Sequence, residues 1–131
     1  NGALAGLVAI TAEPLTPGPI TAMFIGSIGA IIMYFGTKML ESYGLDDVVG
    51  AIPVHMFAGI FGTLVVPLTN SDTSFGTQFI GTASVCIFSF GLSWITFTLL
   101  KSTIGLRISK AAEKLGTDKA EVGVTAYSIR D

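Results

Sequence analysis

Long uncharged runs and short polar breaks alternate along this chain. No Asp, Glu, Lys or Arg occurs from Pro14 to Thr37, from Val48 to Ser71, or from Thr73 to Leu100. A helix needs about 20 apolar residues to cross a bilayer, so each run is long enough. The last run would reach about 42 Å at 1.5 Å per residue, so it tilts or projects. One such run fits the core of a soluble helical bundle; three in series do not. The pattern predicts a partial helix over Asn1–Thr11, then membrane helices near Ile20–Lys38, Asp47–Val66 and Thr77–Lys101, and a polar tail over Ser102–Asp131. The predicted organisation is a transmembrane region at 1–101 and a cytoplasmic region at 102–131.

The breaks carry turn chemistry. Between Glu13 and Pro19 stand three prolines, which cannot continue a helix. The stretch from Lys38 to Asp46 holds Gly44 as a C-cap or turn residue. Pro67 to Gly76 is built from Pro, Asn, Ser, Asp and Gly. Asn1 to Ala12 is apolar but too short to span, and it has neither an initiator Met nor a basic n-region. It reads as a helix entered midway, and the chain as a piece of a longer protein. Small residues recur four apart, at Gly2 and Gly6, Gly26 and Ala30, Ala58 and Gly62, and Gly59 and Thr63. Such pairs let helix backbones approach closely in lipid.

Charge sets orientation. If the helices alternate in direction, all seven Lys and Arg residues fall on one side: Lys38 in the second connection, the rest after the last helix. By the positive-inside rule that side is cytoplasmic. Composition agrees, with 50% hydrophobic and 12% charged residues, against about 25% charged in soluble domains. The formal net charge of −2 leaves no basic surface for nucleic acid. Cys86 lies in an apolar helix as a small hydrophobe. One His and one distant Cys close no metal site, no cofactor is implied, and no phosphate loop, nucleophile elbow or carboxylate pair supports an enzyme.

His55 is the single histidine, and it lies within an otherwise uncharged predicted helix. Counted from Asp47 at helical rise, it is about 12 Å into a hydrocarbon layer about 30 Å thick. An ionisable group at that depth is costly, and it faces the bundle interior or a wet path. Imidazole can accept a proton from a cation and pass it on; the structural alternative is a histidine bonded to a neighbouring hydroxyl or carbonyl. Pro53, two residues earlier, removes a donor and frees a carbonyl near Val49. Ala51 and Gly59 lie one helical turn either side of His55 and leave room beside the ring. Asp46 and Asp47 stand at the expected helix start as N-caps.

The residues carry a family resemblance. Asn1-Gly2-Ala3-Leu4-Ala5-Gly6-Leu7-Val8-Ala9-Ile10-Thr11-Ala12 resembles a late membrane helix of the ammonium transporter (Amt/Mep/Rh) family. Asp46-Asp47-Val48-Val49-Gly50-Ala51-Ile52-Pro53-Val54-His55, followed by Phe57 to Leu64, resembles its penultimate helix. Gly105-Leu106-Arg107-Ile108-Ser109, then Glu113, Gly116, Asp118, Gly123 and Ala126-Tyr127, is similar to its C-terminal region. The three stand in the family's order across nearly the whole chain.

The resemblance implies an all-α membrane protein, a polytopic helical bundle with eleven helices per subunit and a pore through each subunit of a homotrimer. This chain would supply the end of helix 8, helices 9 to 11 and the cytoplasmic tail. His55 matches the second of two pore histidines that share a hydrogen bond. The first histidine, the aromatic gate and the external ammonium site belong to helices outside this chain. In the family scheme ammonium loses its proton near the histidines, ammonia crosses a hydrophobic pore, and the proton is relayed separately. The implied location is the plasma membrane. The tail, with Arg107, Gly116, Asp118 and Tyr127, would dock beneath the trimer and help recruit a P-II-type regulatory protein. Val122 stands where many members have His, and Gly50 where many carry an acidic residue. The alternative reading is an ammonium sensor, the same fold fused to a downstream signalling domain.

Overall fold

The three prolines between Glu13 and Pro19, and a glycine-closed turn after Ser42, cut the first half of the chain into separate helices. In this computed structural model, which describes residues 1–125, the described residues are helical with no strand. The order is α1 (Gly2–Thr11), α2 (Pro19–Ser42), a π-helical segment Ile52–Phe57 running directly into α3 (Ala58–Val65) and a 3₁₀ turn at Val66–Leu68. Then come α4 (Phe75–Thr103), α5 (Lys110–Leu115) and a second π-helical turn at Asp118–Val122. Pro19 opens α2, where its missing N–H would be unsatisfied in any case. At the other end Gly44, at φ +68°, donates to Glu41 O at 2.9 Å, while Leu45 N–H reaches Leu40 O at 3.0 Å. That pair of bonds is a Schellman closure, so Gly44 ends the helix as its position predicts.

Two helices, Pro19–Ser42 and Phe75–Thr103, are long and apolar enough to cross a membrane. The third expected span is shorter than its sequence pattern indicates. Its helix occupies Ile52–Leu68 rather than Asp47–Val66, a length of about 26 Å. Gly50, at φ +72°, breaks the run four residues after the aspartate pair opens at Asp46.

The chain divides into two units, Asn1–Phe88 and Ser89–Asp131. Within the first, α1, α2 and α3 pack through small residues. Ala5 and Ala58 are fully buried and Val54 nearly so, with Val8 and Met33 closing around them. A Cβ added at Gly6 would stand 3.1 Å from Gly26 O, and one at Gly29 would stand 2.7 Å from Ala9 Cβ. Gly62 lies directly against the backbone of Ala9. Backbones this close gain dispersion and weak polar contacts, the terms that hold helices together where lipid competes for apolar surface.

Polar ties join both ends of this group. Asn1 Nδ2 donates to Val49 O at 3.0 Å, and Asn70 Nδ2 donates to Glu13 Oε2 at 2.8 Å. The start of α1 therefore meets the start of the π–α3 helix, and the two helices end beside each other. The first and third connections lie at one end of the group and the second at the opposite end, as alternating helices require. Within the second unit, the Arg107 guanidinium pairs with Glu113, and Ser109 Oγ accepts from Ala112 N–H at 3.2 Å to cap α5.

Candidate functional site

The helix after Gly50 begins with its backbone donors fully allocated. Asp47 Oδ1 accepts from Ala51 N–H at 2.9 Å and Oδ2 from Ile52 N–H at 2.7 Å. Pro53 has no N–H, and Val54 N–H donates to Gly50 O at 3.1 Å. Every orphan donor of the first turn has an acceptor, which removes the usual weakness of a helix start. Asp47 does this from outside the helix, by reaching forward; Asp46 makes no hydrogen bond among the described residues. Pro53 falls in the first turn, where it breaks no intrahelical bond, so its ring opens the helix instead of kinking it.

What loosens the helix around His55 is a widened turn. Ala58 N–H is shared between Pro53 O, five residues back, and His55 O, three residues back. A π-turn of this kind inserts a residue into the helical register, and such turns concentrate at functional sites. Pro53 and Val54 are buried while His55 and Met56 are exposed, so the turn is anchored on one side and presents the imidazole on the other. The anchor is tight: a Cβ at Gly36 of α2 would stand 2.5 Å from the Phe57 ring and 3.3 Å from Pro53 Cβ. His55 makes no hydrogen bond or ion pair with any described residue.

Two expectations shift, the depth of His55 and the free carbonyl at Val49. The count from Asp47 overstates the depth of His55, because residues 47–50 are not helical. Pro53 and Phe57 meet α2 at Gly36, about 9 Å from its end at Ser42 and about 26 Å from Pro19, so His55 sits nearer the Ser42 end. Ala51 and Gly59, four residues either side of His55, lie in different surroundings. Ala51 is exposed at the helix start, and Gly59 faces α1, with its would-be Cβ 3.6 Å from Val8 Cγ1. The Val49 carbonyl is met by the side chain of Asn1, a residue sequence reasoning passed over. No signal in a single sequence links positions 48 apart.

In the tail, Arg107 and Glu113 are paired and largely exposed. Gly116, at φ +91°, ends α5, and Asp118 Oδ1 lies 2.6 Å from where a Cβ on Gly116 would stand. Val122 is exposed, and Tyr127 lies outside the described residues. At the far end of the first unit, Glu13 Oε1 accepts from the N–H groups of Leu15 and Thr16 at 3.2 and 3.3 Å. The Asn70 amide foremost, with those backbone donors, holds the Glu13 carboxyl below its usual range. A water-sized hollow opens there among Glu13, Gly62, Val66 and Thr69, away from His55.

Residues 1–127 match the model of the Ammonium Transporter Family. Ammonium transporter Amt2 of Archaeoglobus fulgidus is 38% identical over an alignment covering 97% of this chain and 31% of the relative. Ammonium transporter Amt2 of Methanocaldococcus jannaschii is 35% identical, over 97% of this chain and 32% of its own. An ammonium transporter of Corynebacterium glutamicum is 32% identical, over 98% of this chain and 32% of its own. The chain thus spans about a third of the length of these curated relatives. Since the matched residues 1–127 take in α1, the His55 helix, α4 and most of the tail, the chain belongs to the ammonium transporter family.

Proposed function

We propose that this chain forms part of a membrane protein that moves ammonium or ammonia through a pore in each subunit of a homotrimer, with His55 as one of two paired pore histidines. The observation that carries the reading is His55 itself: an imidazole on a π-turn of an apolar helix, exposed and unpartnered among the described residues. Polar side chains in such a helix need a partner or a wet path. An uncovered His55 is what a partner histidine from a helix outside this chain would meet. Imidazole suits the task because it exchanges protons near neutrality. Ammonium gives up its proton beside the pair, ammonia crosses the apolar pore, and the histidines pass the proton on.

The alternation of the helices supports the expected sidedness. With the connection of Lys38 at one end and that of Glu13 and Asp72 at the other, the positive-inside rule puts Lys38 and region 102–131 in the cytoplasm of a cell whose plasma membrane holds the protein. There Arg107, Gly116, Asp118 and Tyr127 form the part of the tail that couples subunits and receives a P-II-type partner. Asp47, with Asp46 beside it in the chain, shapes the cytoplasmic start of the His55 helix.

The deciding experiment records ammonium-evoked current in liposomes that hold the full-length transporter or its His55→Ala variant. The variant is expected to lose most of the current, about tenfold or more, in keeping with general acid–base contributions of 10²–10⁴. Equal currents from the two proteins would remove His55 from the proton path.

A further inference from the structure

We propose that Asn1 is a positioning residue for His55, acting through the Val49 carbonyl on the turn that carries the imidazole. This rests on the reading of His55 given above. The backbone donors of the turn are satisfied by Asp47 and Gly50, close neighbours in sequence, and these bonds shape the turn without fixing where it stands. Val49 O is different. Pro53, four residues on, has no N–H to offer it. Gly50, at φ +72°, turns the backbone out of the helix, and Val49 O receives its hydrogen from the side chain of Asn1 at 3.0 Å.

Asn1 is itself held. Its carbonyl accepts from Ala5 N–H at 2.8 Å, and Gly2 beside it lies against Ala30 and Met33 of α2. The amide is thus a strut of fixed length between a packed helix and the residue six positions before His55. Gly50 keeps the strut short, because a Cβ there would stand 2.5 Å from Asn1 Nδ2. Pro53 and Phe57 seat the turn on Gly36 of α2. The turn is located by the apolar seats of Pro53 and Phe57 on Gly36 and of Val54 against Ala5 and Ala58, and by one polar contact, the Asn1 amide, at the residue where the chain enters it.

The test uses the full-length transporter with Asn1→Leu, which keeps the size but removes the donor, and Asn1→Asp, which keeps the shape and donates only when protonated. Ammonium flux in liposomes is measured from pH 5 to 8 beside His55→Ala, with a thermal midpoint for every protein. Asn1→Leu is expected to lower maximal flux at least fivefold and to move the pH midpoint of transport by half a unit or more, with KM within twofold. Asn1→Asp is expected to regain flux, relative to the unaltered protein, as the pH falls. Flux and pH midpoint unchanged in both variants, or a loss that follows the folded fraction with an unmoved midpoint, would overturn the positioning role. If His55→Ala affects transport and the Asn1 variants do not, this inference alone fails. If His55→Ala transports like the unaltered protein, the reading of His55 fails with it.

Discussion

The His55 helix and α4 are alike in hydropathy and opposite in construction. The first is a composite over Ile52–Leu68, beginning with a proline-containing π-turn and ending in a 3₁₀ turn. It is seated through Pro53, Val54, Ala58, Gly62 and Val66, all buried. The second is 29 residues of regular α-helix in which no residue is buried. Hydropathy measures how readily a segment leaves water, and both segments leave it. It does not measure which segment other protein covers. Backbone irregularity does, because a distorted turn at membrane depth is tolerated only against protein or a wet cavity. The irregular helix is also the one that carries the histidine.

If close packing distinguishes the two helices, the largest effect is expected at Gly62. Any side chain there must displace the backbone of Ala9, so Gly62→Val should cost about 3 kcal/mol or more and sharply reduce the folded yield. Detergent thermal melts of the full-length protein check this. Gly50→Ala comes next, combining a positive φ with the approach of the Asn1 amide. A loss of about 1–2 kcal/mol is expected. Pairing it with Asn1→Ala should recover the part due to the clash and leave the part due to φ, which a double-mutant cycle separates.

Glu13→Gln acts at the other end of the His55 helix, where Glu13 meets Asn70. Because hydrogen bonds hold the folded pKa of Glu13 below its ordinary 4.5, the carboxylate adds stability that is complete above that value and lost as the pH falls through the folded one. The variant should therefore melt earlier than the unaltered protein at pH 7, and the gap should close on acidification below pH 4.5. Ile87→Leu on α4 is expected to do least. Its side chain is 74% exposed, and the midpoint should move by the equivalent of about 0.5 kcal/mol or less. A larger shift would show that in the longer protein this face of α4 is covered, and the contrast with the His55 helix would narrow.

The features legible in the sequence were those set by neighbouring residues. The prolines from Pro14 to Pro19, the closure at Gly44 and the length of α2 follow from local chemistry, and the family from motifs in order. His55 stood out because one ionisable residue in an apolar run needs a reason. The late start of its helix was not legible, since Val48 and Val49 continue the apolar run and only the φ of Gly50 ends it. The π-turn was hidden for the same reason: no residue type marks an extra residue in the register. Four-residue spacing found Gly6, Gly26 and Gly62, yet it passed over Gly29 and Gly36, seven apart on the buried face of α2. The Asn1–Val49 and Glu13–Asn70 bonds lie beyond any reading of local pattern.

Those two bonds also set a timetable for synthesis. They join residues 48 and 57 positions apart, so neither can form until that much more chain has left the ribosome. At 5–20 residues per second the wait is about 2–11 s. Through that interval, among the helices of this chain, α1 can pack against α2, by way of the Gly6–Gly26 and Gly29–Ala9 contacts, but not yet against the His55 helix, with Asn1 and Glu13 still lacking their distant partners. The glycines of this hairpin therefore bear on the nascent chain first, and the polar ties close only when the His55 helix arrives between them.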